Sequence, residues 1–249
     1  MKYIGIDIGT TGGKVAVFSE NMEPLWVWRR DYPTYLGEGG SAEQNPEDWW
    51  RVAADGVRTV LDSAGVSKEE VGGVGLSCMT PVLLPLDAEG KPLERAWLWY
   101  DARGAACLKE IREKLPVEEQ IRIAGSACKE VSFLNKLLFF RENMPEKYGK
   151  TAVFLQPSGY LLYRMTGRAS MDASHGELLF LVDKERGDYS HEVFETFSLD
   201  RDKFPPIHLV DKIAGKLTSD GARKLGLPQG TPVLSGGMTA PFPPMPSGS

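Results

Sequence analysis

The chain of 249 residues is long enough for one large domain or two small ones, and 42% hydrophobic with 25% charged residues can build a sizeable core. A net charge of −5 argues against nucleic-acid and membrane-surface partners, and no apolar run approaches the ~20 residues of a bilayer span. Cys78, Cys107 and Cys128 are odd in number and lack metal-ligand spacing, so they read as free thiols of a reducing compartment. A first strand beginning at Tyr3 leaves no room for a signal peptide, and the expected localisation is cytoplasmic.

Tyr3, Ile4, Ile6 and Ile8 are β-formers that carry one acid, Asp7, into the turn Gly9-Thr10-Thr11-Gly12-Gly13. Lys14 is followed by the apolar run Val15 to Phe18, so the segment predicts strand, tight turn, strand. That excludes a Walker A loop, whose Lys meets Ser or Thr at the start of a helix, and the Gly-x-Gly-x-x-Gly dinucleotide pattern is missing too. Glycines let backbone N–H groups gather around one concavity, where an anion can sit without meeting a Cβ. Asp7 could hold hydrated Mg²⁺ against that anion, because Mg²⁺ favours one or two carboxylates plus phosphate and water. The same residues also fit an ordinary hairpin with a solvated Asp.

Leu25 to Trp28 predicts a third strand, completing an antiparallel meander that needs a helix on one face. Asp31 to Gln44 reads as a glycine-containing loop. Asn45 caps a helix with Pro46 first and Glu47 and Asp48 in its first turn. Trp49, Trp50, Ala53, Val57, Val60, Leu61 and Ala64 recur at helical spacing, the tryptophans read as core, and Gly65 stops the helix. Strands are predicted at Val71–Ser77, Val82–Leu86 and Ala96–Trp99, then helices near Gly104–Leu115, Val117–Ala124 and Ser132–Glu142, the last ended by Pro145. Thr151–Leu155 reads as a strand, Ser158–Thr166 as a short helix closed by Gly167, and Met171–Gly176 as a polar loop. Leu178–Val182 has no clear type. Thr218–Gly226 predicts a helix and Thr231–Ser235 a last strand. His175, His191 and His208 lie far apart in polar surroundings and read as surface residues, with no metal site or triad.

Asp7-Ile8-Gly9-Thr10-Thr11 resembles the first phosphate motif of the actin, hexokinase and Hsp70 superfamily. Asn45-Pro46-Glu47-Asp48-Trp49-Trp50, the stretch Trp97 to Arg103, and Tyr160 to Gly167 narrow the resemblance to the FGGY carbohydrate kinases over residues 1–238. The resemblance implies an α/β, ribonuclease-H-like (actin-like ATPase) domain, with a mixed five-stranded core sheet and helices on both faces. It implies ATP and Mg²⁺ as cofactors and a small sugar or polyol as substrate, with homodimer formation left open. Asp7, Gly9, Thr10, Thr11, Gly12 and Lys14 would hold phosphates and, through water on Asp7, the metal. Met79, Thr80, Asp101 and Arg103 would meet the sugar, although Asp101 and Arg103 also fit a structural ion pair. Other members carry Met-His-Gly or Arg-Glu after the corresponding Gly-x-Ser strand, and Cys78-Met79-Thr80-Pro81 departs from both, so the sugar is not named by the motif.

The family's catalytic Asp directly follows the strand matched by Pro232 to Gly237. Here Met238 and Thr239 follow, and no acid occurs after Asp220, so no catalytic residue is assigned. Residues 239–249 are a proline-rich tail unlike the family pattern, and the nucleotide-binding half is expected to be missing. Intact order up to Gly237 and its sudden loss suggest a frame shift or trimming. The rival readings are a non-catalytic sugar-binding or sensor domain and an actin-like or chaperone ATPase.

Overall fold

A computed structural model describes residues 1–238. The sheet begins with β1 (Lys2–Ile8), β2 (Gly12–Phe18) and β3 (Pro24–Asp31), an antiparallel meander with Ile6 opposite Val15 and Val15 opposite Trp28. Strand alternation divides their side chains between two faces. Ile4, Ile6, Ile8, Val15 and Val17 are buried on one, while Tyr3, Gly5, Asp7, Lys14, Ala16 and Phe18 occupy the other.

The buried face is covered by α1 (Pro46–Ala64). Asn45 Oδ1 accepts from Glu47 N, Pro46 starts the helix, and Gly65 ends it at φ 62°. Trp49 and Trp50 are buried, as the periodicity predicts. A Cβ on Gly56 of α1 would stand 2.4 Å from Val15 and 2.8 Å from the Trp28 ring, so this glycine lets helix and sheet approach closely.

Next, β4 (Val71–Cys78) runs parallel to β1, and β5 (Ile213–Lys216), β6 (Pro232–Leu234) and β7 (Gly237–Met238) complete the sheet. The path is β5-β6-β4-β1-β2-β3, with β7 also on β4. The sheet is thus mixed, as expected, but has seven strands rather than five. Ile213–Lys216 is too short and glycine-broken to read as a strand locally, and gains its strand character by pairing with β6. Gly236, at φ 93°, bends the chain so that Gly237 and Met238 rejoin β4.

A second core surrounds α2 (Phe133–Asn143), where Phe133, Leu137 and Phe140 pack with Trp97, Phe154, Phe197 and Phe204. Leu179 and Leu181, in the stretch without a clear type, also belong to it. Pro145 opens a further short helix, Pro145–Lys150, besides following the end of α2. The two cores are joined where Leu84–Leu86 pairs antiparallel with Val153–Leu155. On the sheet side, α3 (Pro157–Thr166) and α5 (Ser219–Leu225) pack beside α1. Between them in sequence comes α4 (Ala173–Glu177), which reaches β7.

Met171–Gly176, expected as a polar loop, instead forms a two-residue strand, Met171–Asp172, followed by α4. The reason is Asp172, which caps the turn by accepting from His175 N at 2.9 Å. No helix among the described residues is long and apolar enough to cross a membrane. The proline-rich tail lies outside the described residues.

Candidate functional site

The carboxyl ends of the parallel strands β1, β4 and β7 lie side by side, since Ile8 pairs with Cys78 and Cys78 with Met238. Ligands of open α/β sheets collect beyond such ends. The β1–β2 hairpin tip rises from this edge and is tied down through its carbonyls. Gly9 O accepts from Tyr32 Oη at 2.5 Å, Thr10 O from Gln44 Nε2 at 2.6 Å, and Thr11 O from Tyr32 N at 3.4 Å. The backbone N–H groups of Thr10 and Thr11 have no hydrogen-bond partner among the described residues. The tip therefore presents donors, with its acceptors already engaged.

The glycines serve a different end from the one the motif suggests. Gly9, Gly12 and Gly13 have no left-handed backbone. A Cβ on Gly12 would lie 2.7 Å from Arg30 O, and one on Gly13 would lie 2.6 Å from Val52. Close packing against β3 fixes Gly12 as glycine and close packing against α1 fixes Gly13, whereas a Cβ on Gly9 would meet only Gly12 O at 3.3 Å. Asp7 and Lys14 face each other across β1 and β2 and line a cavity of about 750 Å³ with Ser77 and Gly237. No cluster of three or more metal-ligating side chains occurs among the described residues.

Gln44 was missed by sequence reasoning, which placed it at the end of a loop. It is fully buried, donates to Thr10 O and Thr34 Oγ1, and accepts from Trp49 Nε1 at 3.0 Å. One amide thus connects α1 to the hairpin tip. Trp99 Nε1 donates to Thr10 Oγ1 at 3.1 Å while its ring stays 42% exposed, so an aromatic edge borders the tip.

Asp101 and Arg103 come together as a buried structural unit. Asp101 Oδ2 accepts from Ala42 N at 2.9 Å and Arg103 Nη2 at 2.7 Å, and Oδ1 accepts from Arg103 N and Nε. Arg103 also pairs with Glu43 at 2.9 Å and stacks over Trp97 at 3.6 Å. Both carboxylate oxygens are engaged, and Asp101 is fully buried. Residues 31–44, expected as a loop, contain the short strands Tyr35–Leu36 and Ala42–Gln44, and the unit pins the second of these, which pairs with Ala96–Trp97, to the strand end. Buried Lys136 supports it from α2, donating to Trp99 O at 3.2 Å and Val131 O at 2.5 Å. Burial lowers the Lys136 pKa to about 8 despite the Asp101 charge, which opposes the shift.

Met79 is buried just beyond β4, its N–H bonded to Ile8 O at 2.8 Å. The Thr80 hydroxyl bonds Gln156 Oε1 at 3.1 Å, and the same Gln156 amide also bonds Val82 N and O. Both residues are therefore held on rigid supports just beyond the end of β4.

His175 is not a surface residue: it is fully buried and pairs with Asp172 through Nδ1. Asp172 also accepts from Ser158 Oγ at 2.9 Å and Ser174 Oγ at 2.6 Å. Burial pushes this carboxyl up, but the hydrogen bonds from His175 and Ser174 and the His175 charge outweigh that and hold it below the usual range. So many donors suit Asp172 to orienting neighbours rather than taking up protons. The group stands near β7, because Ser174 Oγ lies 3.9 Å from where a Gly237 Cβ would be. An acid three residues before a His, opening a helix, was the available signal. His208, half-buried, bonds Ser170 at 2.9 Å, while His191 is exposed as expected.

The remaining motif segments meet each other away from the hairpin. Tyr160 Oη donates to Glu47 Oε1 at 2.6 Å, Arg164 pairs with the same oxygen, and Trp49 packs edge-on to Tyr160. They clasp α1 to α3.

The sequence model for the N-terminal domain of the FGGY family of carbohydrate kinases matches residues 2–241. The chain is 30% identical over 238 residues to the xylulose kinase of Bacillus subtilis, covering 95% of this chain and 48% of that protein. Its fold superposes on a crystal structure of xylulose kinase from Rhodospirillum rubrum with a TM-score of 0.91 at 24% identity, over 96% of this chain and 49% of the other. Against Plasmodium falciparum glycerol kinase with ADP the TM-score is 0.86 at 17% identity, over 95% and 48% of the two chains. The chain spans about half the length of the curated relatives it matches.

Proposed function

The chain belongs to the FGGY family of carbohydrate kinases, and from that premise we propose that it is the N-terminal, sugar-binding half of an enzyme that phosphorylates a small sugar or polyol. The observation that carries the proposal is the hairpin tip, whose carbonyls are engaged while two successive N–H groups are presented beside Asp7 and Lys14. Phosphoryl transfer is catalysed chiefly by positioning and charge stabilisation, and this edge supplies both kinds of group. Thr10, Thr11 and Lys14 would bind phosphate oxygens, and Asp7 would hold Mg²⁺ through water. Mg²⁺ and ATP together would supply the transferable phosphoryl group and neutralise its charge. Met79 and Thr80 would border the sugar. Asp101 and Arg103 would act behind it, keeping Trp99 and the strand Ala42–Gln44 in place. Relatives named for xylulose make a ketopentose the first sugar to try.

A carboxylate base is missing where Met238 and Thr239 follow Gly237, and a Thr hydroxyl does not replace one near neutral pH. This chain alone is therefore expected to show no sugar-dependent ADP release. The same feature favours a second reading, a sugar-binding module without turnover. Titrating the ¹⁵N-labelled chain with Mg²⁺ and inorganic phosphate, then with xylulose and glycerol, separates the two. Shifts at Thr10 and Thr11 with phosphate support the kinase half. Sugar shifts without phosphate shifts support the module, and shifts confined to another face reject both.

A further inference from the structure

We propose that Trp99 is a positioning residue of the phosphate edge, its indole N–H holding the Thr10 hydroxyl so that the hydroxyl proton is aimed at a phosphate oxygen. The proposal rests on the reading of the hairpin tip as a phosphate site and names what sets one of its donors.

The bond runs from Trp99 Nε1 to Thr10 Oγ1 at 3.1 Å and joins residues 89 apart in the chain. An indole N–H only donates, whereas a hydroxyl donates and accepts. Thr10 Oγ1 is therefore the acceptor, and its own proton is turned away from the ring. The Thr10 carbonyl accepts from Gln44 Nε2 at 2.6 Å. Both oxygens of Thr10 are thus engaged as acceptors, while neither its N–H nor its O–H has an acceptor among the described residues. Engaged acceptors beside open donors select an anion.

Stability does not account for this bond. Trp99 is 42% exposed, so its N–H can bond to water instead and little is lost without Thr10. What the bond changes is direction. A hydroxyl left to rotate must be ordered when the ligand arrives, and that ordering weakens binding, whereas a donor already aimed at the charge needs no reorganisation.

Trp99 can aim Thr10 only if its own backbone is held. Lys136, fully buried on α2, donates to Trp99 O at 3.2 Å and to Val131 O at 2.5 Å. Asp101 N donates to Leu98 O at 3.0 Å and closes the turn that contains Trp99. Tyr100 packs edge-on to the indole, with ring centroids 5.0 Å apart. A chain of bonds therefore leads from a buried ammonium through Trp99 to the tip.

The test titrates the ¹⁵N-labelled chain with inorganic phosphate in the presence of Mg²⁺, as parent, Trp99→Phe, Thr10→Val and the double variant. Trp99→Phe keeps a ring and removes the N–H, and Thr10→Val keeps the shape and removes the hydroxyl. In the parent, the Trp99 indole resonance, identified as the one Trp99→Phe lacks, shifts with the same midpoint as the Thr10 N–H. Phosphate binds ~10-fold more weakly to Thr10→Val and ~5-fold more weakly to Trp99→Phe. The double variant matches Thr10→Val within ~2-fold, because the indole acts only through the hydroxyl. Losses that multiply in the double variant show a structural role for Trp99 and overturn the proposal. So does a parent indole resonance that stays still while the Thr10 N–H moves, a result that needs no folded variant. Unchanged affinity in Trp99→Phe overturns the positioning role and leaves the phosphate site standing, whereas a parent without phosphate shifts overturns both.

Discussion

The hairpin tip and the Asp101–Arg103 strand end carry similar cues, an acid beside a turn at the end of a strand. Their hydrogen bonds separate them. At the tip, framework groups occupy the carbonyls of Gly9, Thr10 and Thr11, and the N–H groups of Thr10 and Thr11 have no partner among the described residues. At the strand end, backbone and guanidinium donors occupy both oxygens of a fully buried carboxylate. A binding site keeps unmet hydrogen-bonding capacity at a rigid surface, while a structural site spends that capacity internally. The comparison predicts that mutations at the strand end cost stability and that mutations at the tip cost ligand affinity.

The largest effect is expected at Asp101. Asp101→Ala leaves Arg103 partly buried without its main partner and Ala42 N without an acceptor, and breaking such a pair costs about 3–5 kcal/mol. Urea unfolding should show it, and a loss below ~1 kcal/mol would make the pair dispensable and reopen a ligand role.

Lys136 sharpens the comparison through pH. Its folded pKa, about 8, lies below the ordinary lysine value, so between about pH 8 and 10.5 the unfolded chain holds a proton the folded chain has released. Stability contributed by this site therefore rises with pH across that window, by at most about 3 kcal/mol. Subtracting the profile of Lys136→Met from that of the parent isolates it. A flat difference would show that Lys136 is more hydrated than its burial implies.

Gln44→Ala should lie between the two regions, because it removes three hydrogen bonds but also releases Thr10 O. A loss of about 1–3 kcal/mol is expected, together with weaker phosphate shifts at Thr10. Normal phosphate shifts in a destabilised variant would uncouple the amide from the tip. The smallest stability change belongs to Thr11→Ala, within about 0.5 kcal/mol, since the side chain is exposed. Its phosphate response should nevertheless fall, and an unchanged response would remove Thr11 from the site.

Much of the frame was legible beforehand. Tyr3, Ile4, Ile6 and Ile8 marked β1 as a strand, and Asn45, Pro46 and Gly65 bounded α1. Short elements were not legible: Ile213–Lys216 and Met171–Asp172 become strands only through their partners. The proposed site was legible in part. Asp7, Thr10 and Thr11 stand out by composition at a turn, whereas Gln44 and the Asp172–His175 pair gain meaning only from what surrounds them.

Periodicity, caps and breakers act over a few residues, so the sequence by itself determined the meander, the α1 cap and the order of motifs that places the chain in its family. Whether a polar group is spent or available is a long-range matter. Asp101 is satisfied by Ala42, 59 residues away, and Thr10 O by Gln44, 34 residues away. Tertiary structure alone decided those bonds and the burial of His175, because each depends on which distant groups share a volume of low dielectric from which water is excluded.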